Sequence, residues 1–136
     1  MLGFGKKKEK KPGKESITEQ GKESVLTDER KQELLRTISL KKETVDQAAE
    51  EEKSKIYEEI GLALNELGDI DQAIDSLEKS IQIKKSVGDG YKTLLRLYNK
   101  KRAQAAKAND DDTLQIYLKK MDEMMQVSKD VTRGVR

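Results

Sequence analysis

Residues 57–80, YEEIGLALNELGDIDQAIDSLEKS, carry the clearest helical pattern of the chain. Tyr57, Ile60, Leu64 and Leu67 recur every three or four residues, the spacing of one helix face. Gly68-Asp69 interrupts the pattern, and glycine there permits the left-handed backbone that ends a helix. Ile70, Ala73, Ile74, Leu77 and Ile81 then restore the spacing. Two helices joined by so short a link must lie against each other. Gly61 and Ala73 are small residues where the two must approach closely, and side-chain size at the contact sets that distance.

The pattern extends in both directions. Tyr91 lies 34 residues after Tyr57, and Leu94 and Tyr98 follow at the places of Ile60 and Leu64. The spacing predicts a second helix from about Ile70 to Ser86, ended by Gly88-Asp89-Gly90, and a third from about Tyr91 to Ala108. A fourth follows Asn109-Asp110-Asp111-Asp112 and runs to about Val131, with Leu114, Tyr117, Leu118, Met121, Met124 and Met125 near one face. The aspartates lack the alternating oxygens and distal glutamate of a calcium loop and read as helix caps. Upstream, Thr27 or Asp28 caps a helix on which Leu34, Leu35, Ile38, Val45, Ala48, Ala49 and Ile56 fall at helical spacing. One long helix reaching Leu67, or two with a break near Ser39–Lys41, both fit, and Glu50-Glu51-Glu52-Lys53 reads as a solvated helix face. Nothing alternates with period two, so the expected class is all-α.

These residues resemble a tetratricopeptide repeat. Tyr57 takes the family's large aromatic place, Ile60-Gly61 its Leu-Gly, Leu64 its Tyr, Ala73 its Ala, Leu77 its large apolar place and Ser80 the small residue after it. Lys85 stands where proline is common. In the second copy Leu95 replaces the glycine and Lys107 the alanine. With seven residues inserted, Leu114, Leu118 and Met121 restore the pattern. No upstream copy is in register, since positions 23, 30 and 39 hold Glu, Arg and Ser. The resemblance implies stacked antiparallel hairpins: a capping helical segment over 25–54, one good repeat over 55–87 and a stretched, degenerate repeat over 88–131. Residues 1–24, with the only proline, four of the nine glycines and few apolar groups, read as a disordered basic tail, and 132–136 as a disordered C-terminus.

Composition limits the chemistry. The 136 residues are 34% hydrophobic and 40% charged, with no histidine, cysteine or tryptophan. That removes disulfides, thiolate nucleophiles, Cys/His zinc sites and imidazole acid–base catalysis. Helical carboxylates read as solvated, Gly13-Lys14-Glu15-Ser16 lacks the upstream glycine of a phosphate loop, and no catalytic residue, metal or cofactor is expected. Apolar Met1-Leu2-Gly3-Phe4-Gly5 precedes the charges, the reverse of a secretory signal; Leu2 stands where myristoylation needs glycine, and the end is not a prenylation box. The expected location is the cytoplasm.

The resemblance implies a non-catalytic interaction module that holds a partner's peptide or helix in a concave groove. Its groove positions map onto Glu58, Glu59, Leu62, Asn65 and Glu66, one acidic wall, and onto Lys92, Thr93, Arg96, Asn99 and Lys100, one basic wall. Glu58 and Leu62 stand where a carboxylate-clamping subclass has Lys and Asn, so that clamp is not expected. The Met-rich fourth helix suits either core packing against the third helix as the other cap or a homodimer contact, because methionine adapts to irregular partners, so Met121, Met124 and Met125 read as core or dimer face. An alternative is peripheral polyanion binding. Residues 1–24 carry seven lysines against four glutamates, and residues 91–136 eleven basic groups against six acidic. Lys6, Lys7, Lys8, Lys10, Lys11 and Lys14, with Lys100, Lys101 and Arg102, would contact nucleic-acid phosphates or an anionic membrane weakly and without sequence preference.

Overall fold

A computed structural model describes residues 26–134. It contains five helices and, among the described residues, no strand: α1 Asp28–Val45, α2 Glu50–Leu67, α3 Ile70–Ile83, α4 Asp89–Lys107 and α5 Asp111–Arg133. Each helix packs on the next, and α2 also meets α4. The core gathers Leu34 and Ile38 of α1, Ile60 and Leu64 of α2, Ala73, Ile74, Leu77 and Ile81 of α3, Leu94, Leu97 and Tyr98 of α4, and Met124 of α5.

Residues 57–80 form most of α2, the turn and most of α3. Gly68 takes φ +87, and Asp69 N–H reaches back to the Leu64 carbonyl at 2.9 Å. The Asp69 carboxylate then caps α3 by accepting the Gln72 N–H. A Cβ on Gly61 would stand 2.6 Å from Cγ of Leu77, and Ala73 is fully buried, so α2 and α3 lie as close as the small residues suggest.

The boundaries shift elsewhere. Residues 28–67 form two helices, and the break lies at 46–49 rather than near Ser39–Lys41. Ser39 and Leu40 are exposed within α1, and Lys41 reaches Glu59 of α2 at 2.8 Å, so the weak apolar stripe there is a solvated face with one cross-link. Glu50, Glu51 and Glu52 occupy the first turn of α2, where carboxylates complement the helix N-terminus. Lys84 is extended and stops α3 three residues before Ser86. Gly88 has φ −81, so no left-handed glycine makes that break, whereas Asn109, at φ +56, turns the chain into α5. Asp110 caps α5 and holds Thr113 by both its amide and its hydroxyl, which lowers the Asp110 carboxyl pKa. The helix continues past Val131 to Arg133.

The face expected on α5 divides. Met124 is buried and Tyr117 and Met121 are half-buried, but Leu118 and Met125 are 40% and 58% exposed. The inward stripe is therefore Tyr117, Met121 and Met124. Of the three places of the inserted copy, Leu114 and Met121 are half-buried and Leu118 is exposed.

One polar device crosses the α2–α3 contact. The Ser54 hydroxyl donates to the Ser80 carbonyl at 2.9 Å, and the Ser80 hydroxyl donates to the Ser54 carbonyl at 2.7 Å, both buried. Ser54→Ala removes one of the two bonds and leaves the other intact. The expected loss is about 1 kcal/mol, read from the midpoint of urea unfolding.

Candidate functional site

The strongest charge asymmetry lies on α4, which carries six basic residues against one acid. Leu94, Leu97, Tyr98 and Ala105 turn inward. Lys92, Arg96, Asn99 and Lys100 are exposed, as a basic wall requires. Thr93, expected beside them, is buried. Lys92, Arg96, Lys100 and Lys107 form no ion pair with another described residue. Lys101 is committed to Asp71 at 2.7 Å, and Arg102 donates to the Asn99 side chain at 2.9 Å. The tail lysines Lys6, Lys7, Lys8, Lys10, Lys11 and Lys14 lie outside the described residues.

The expected acidic wall on α2 is largely in use within the molecule. Glu66 accepts both Nε and a terminal nitrogen of Arg30, at 2.7 and 2.9 Å. That fork lowers the Glu66 carboxyl pKa and raises that of the Arg30 guanidinium. Glu59 is tied to Lys41. Glu58 accepts the Gly90 N–H at 2.8 Å, and Gly88, the residue before α4, offers no side-chain cap. Glu58 thus caps α4 from another helix. Leu62 is half-buried against the core, and Asn65 is half-buried with its carbonyl bonded to the Gly68 N–H.

Beside the basic face lies a groove of about 700 Å³ between α4 and α5. Tyr91 and Leu95 line it from α4, and Leu118, Met121 and Met125 from α5. Arg102, Lys129 and Asp122 stand on its rim. The Tyr91 hydroxyl donates to the Met124 carbonyl at 3.0 Å, which fixes its ring as one wall. Leu95 sits where the repeat pattern calls for glycine. In the sequence it reads as a defect, whereas in the fold it supplies apolar surface.

A third cluster joins α3, α4 and α5. The buried Tyr98 hydroxyl donates to Glu78, and Lys120 reaches the same carboxylate at 2.8 Å while lying over the Tyr98 ring. Tyr117 packs tilted against Tyr98, with ring centres 5.9 Å apart. Burial first, and the Glu78 bond second, push the Tyr98 phenol pKa far up, so it is held as a proton donor. Among the described residues no cluster of acids could hold a metal ion, and no helix is long and apolar enough to cross a membrane.

What the surface offers is thus a row of cations beside an apolar groove, groups that hold carboxylates and aliphatic side chains. No family model matches the sequence, and no curated protein and no solved structure matches it either.

Proposed function

We propose that the chain is a non-catalytic interaction module of the cytoplasm. In this reading α2–α3 and α4–α5 stack as two tetratricopeptide-like antiparallel hairpins, with α1 as a cap. The module holds a peptide or helix of another protein along the exposed side of α4. One observation carries the reading. The carboxylates of Glu58, Glu59 and Glu66 are consumed by contacts within the molecule, whereas Lys92, Arg96 and Lys100 face solvent without an acid among the described residues. The ligand is therefore acidic, in place of one that bridges an acidic wall and a basic wall.

The test is affinity capture with the full chain, repeated with Arg96→Glu and Lys100→Glu together. Both positions are exposed, so folding is expected to persist, which circular dichroism checks. A partner held by the native chain and lost by the double variant supports the reading. Partners that ignore the substitution refute it. The same cations favour a second reading, sequence-blind polyanion binding. It predicts that duplex DNA or anionic vesicles bind the native chain, release steeply with salt, and bind the double variant more weakly.

A further inference from the structure

The groove between α4 and α5 has no occupant within the described chain, and it is built like a helix seat. Tyr91, Leu95 and Arg102 follow one side of α4 at intervals of four and seven residues, and Leu118, Met121 and Met125 follow one side of α5 at three and four. Two such rows flank a furrow into which a third helix lays its own ridge. Leu118 and Met125 keep 40% and 58% of their surface in water on the groove side of α5, where Tyr91 and Leu95 add apolar surface from α4; Ile116, exposed to 52% on the opposite side, has no such neighbours in the groove.

From the groove we infer that it receives an amphipathic helix of a partner protein, with an apolar stripe flanked by acidic residues. The inference rests on the reading of the chain as an interaction module and shares Lys92 and Arg96 with it, but it centres on the apolar groove beside them. Charge selects among the occupants. Arg102 and Lys129 outnumber Asp122 on the rim, and Lys92 and Arg96 extend the positive border along α4. The chain's own N-terminal segment brings seven lysines against four glutamates over residues 1–24 and meets repulsion. A second copy related by a twofold axis across the groove would turn the cations of α4 towards their own images. An acid-flanked helix meets neither obstacle, and its apolar stripe covers Leu95, Leu118 and Met125.

The test uses the full chain and a labelled synthetic peptide of about 18 residues, five helical turns. Leucines occupy one face, and glutamates occupy both flanks. Controls are the same peptide with lysine flanks and a scrambled peptide without the apolar face. Fluorescence anisotropy should show binding of the glutamate peptide, with the two controls about tenfold weaker or more. Met125→Glu and Leu118→Glu, each at an exposed site, should each weaken binding at least about tenfold with helix content unchanged. Raising salt from about 0.1 M to about 1 M should weaken it several-fold. Absence of binding at millimolar peptide, equal binding of the scrambled peptide, or indifference to both groove variants overturns the inference. So does a dimer in sedimentation that Met125→Glu dissolves, since the occupant is then a second copy. Tighter peptide binding after Leu2→Ser and Phe4→Ser also overturns it, because the chain's own start then fills the groove. A failed groove test leaves the effect of Arg96→Glu and Lys100→Glu on captured partners standing, so the two readings fail separately.

Discussion

Gly61→Ala should destabilise the protein, although it replaces a glycine in a helix interior by the best helix former. The intrinsic gain is about 1 kcal/mol. Against it stands the new methyl, 2.6 and 2.7 Å from Cγ and Cδ2 of Leu77 and 3.2 Å from its backbone nitrogen. Leu77 is fully buried and cannot swing away, and the nitrogen belongs to α3 itself. Forcing a methylene into a packed site costs about 1–3 kcal/mol, so the net change is a loss of about 1 kcal/mol, and Gly61→Val should lose more. Leu77→Ala alone should cost about 2–5 kcal/mol by leaving a cavity. In that background the sign of Gly61→Ala reverses, because the methyl enters vacated space and the propensity gain remains. Urea unfolding of the four proteins measures the cycle. Additive changes would refute the close α2–α3 approach.

Glu78→Ala should be the most costly single change among the polar residues. It strips the partner from two groups at once, the buried Tyr98 hydroxyl and the Lys120 ammonium. Hydrogen bonds to a charged group are worth about 1.5–3 kcal/mol, and an orphaned buried donor adds its desolvation. Glu78→Gln keeps an acceptor for Tyr98 and should recover part of the loss. The cluster also contributes to the loss of stability at alkaline pH, as does Lys101 through its bond to Asp71. The folded-state pKa of Tyr98 is raised, by burial first, and that of Lys120 is raised, chiefly by its bond to Glu78. Groups raised in the folded state stabilise it fully below their unfolded values, about 10 for tyrosine and about 10.4 for lysine. Above that range the unfolded chain releases its protons first, so stability falls by about 1.4 kcal/mol per pH unit for each group titrating. Tyr98→Phe should remove the tyrosine share of this slope and keep the lysine share, measured as Tm between neutral pH and pH 11.

The helical class and the α2–turn–α3 pair were legible because the information is local. Apolar spacing, Gly68 and the small residues Gly61 and Ala73 all lie within residues 57–80. The α1–α2 break was not legible, because Ala49 caps nothing with its side chain and the turn at 46–49 holds neither glycine nor proline. The partners of the acidic residues on α2 were not legible for a different reason. Whether Glu58, Glu59 and Glu66 face solvent depends on Gly90, Lys41 and Arg30, which are remote in sequence and arrive only with the tertiary fold. The groove was half legible: Leu95 and the methionines were noted, but as a departure from a pattern and as a core or dimer face. Tyr57 and Tyr91 are both half-buried, one under Lys79 and the other bonded to Met124, so the same residue type at the same spacing serves two unlike contacts.

The reciprocal bonds of Ser54 and Ser80 have a mechanical consequence. Sliding α3 along α2 by one turn, about 5.4 Å, would part both hydroxyls from both carbonyls together. No intermediate position satisfies one bond without straining the other. Sheared along their axes, the two helices should hold their register until the load reaches a threshold and then slip in a single step, as a latch does and a viscous contact between smooth aliphatic faces does not.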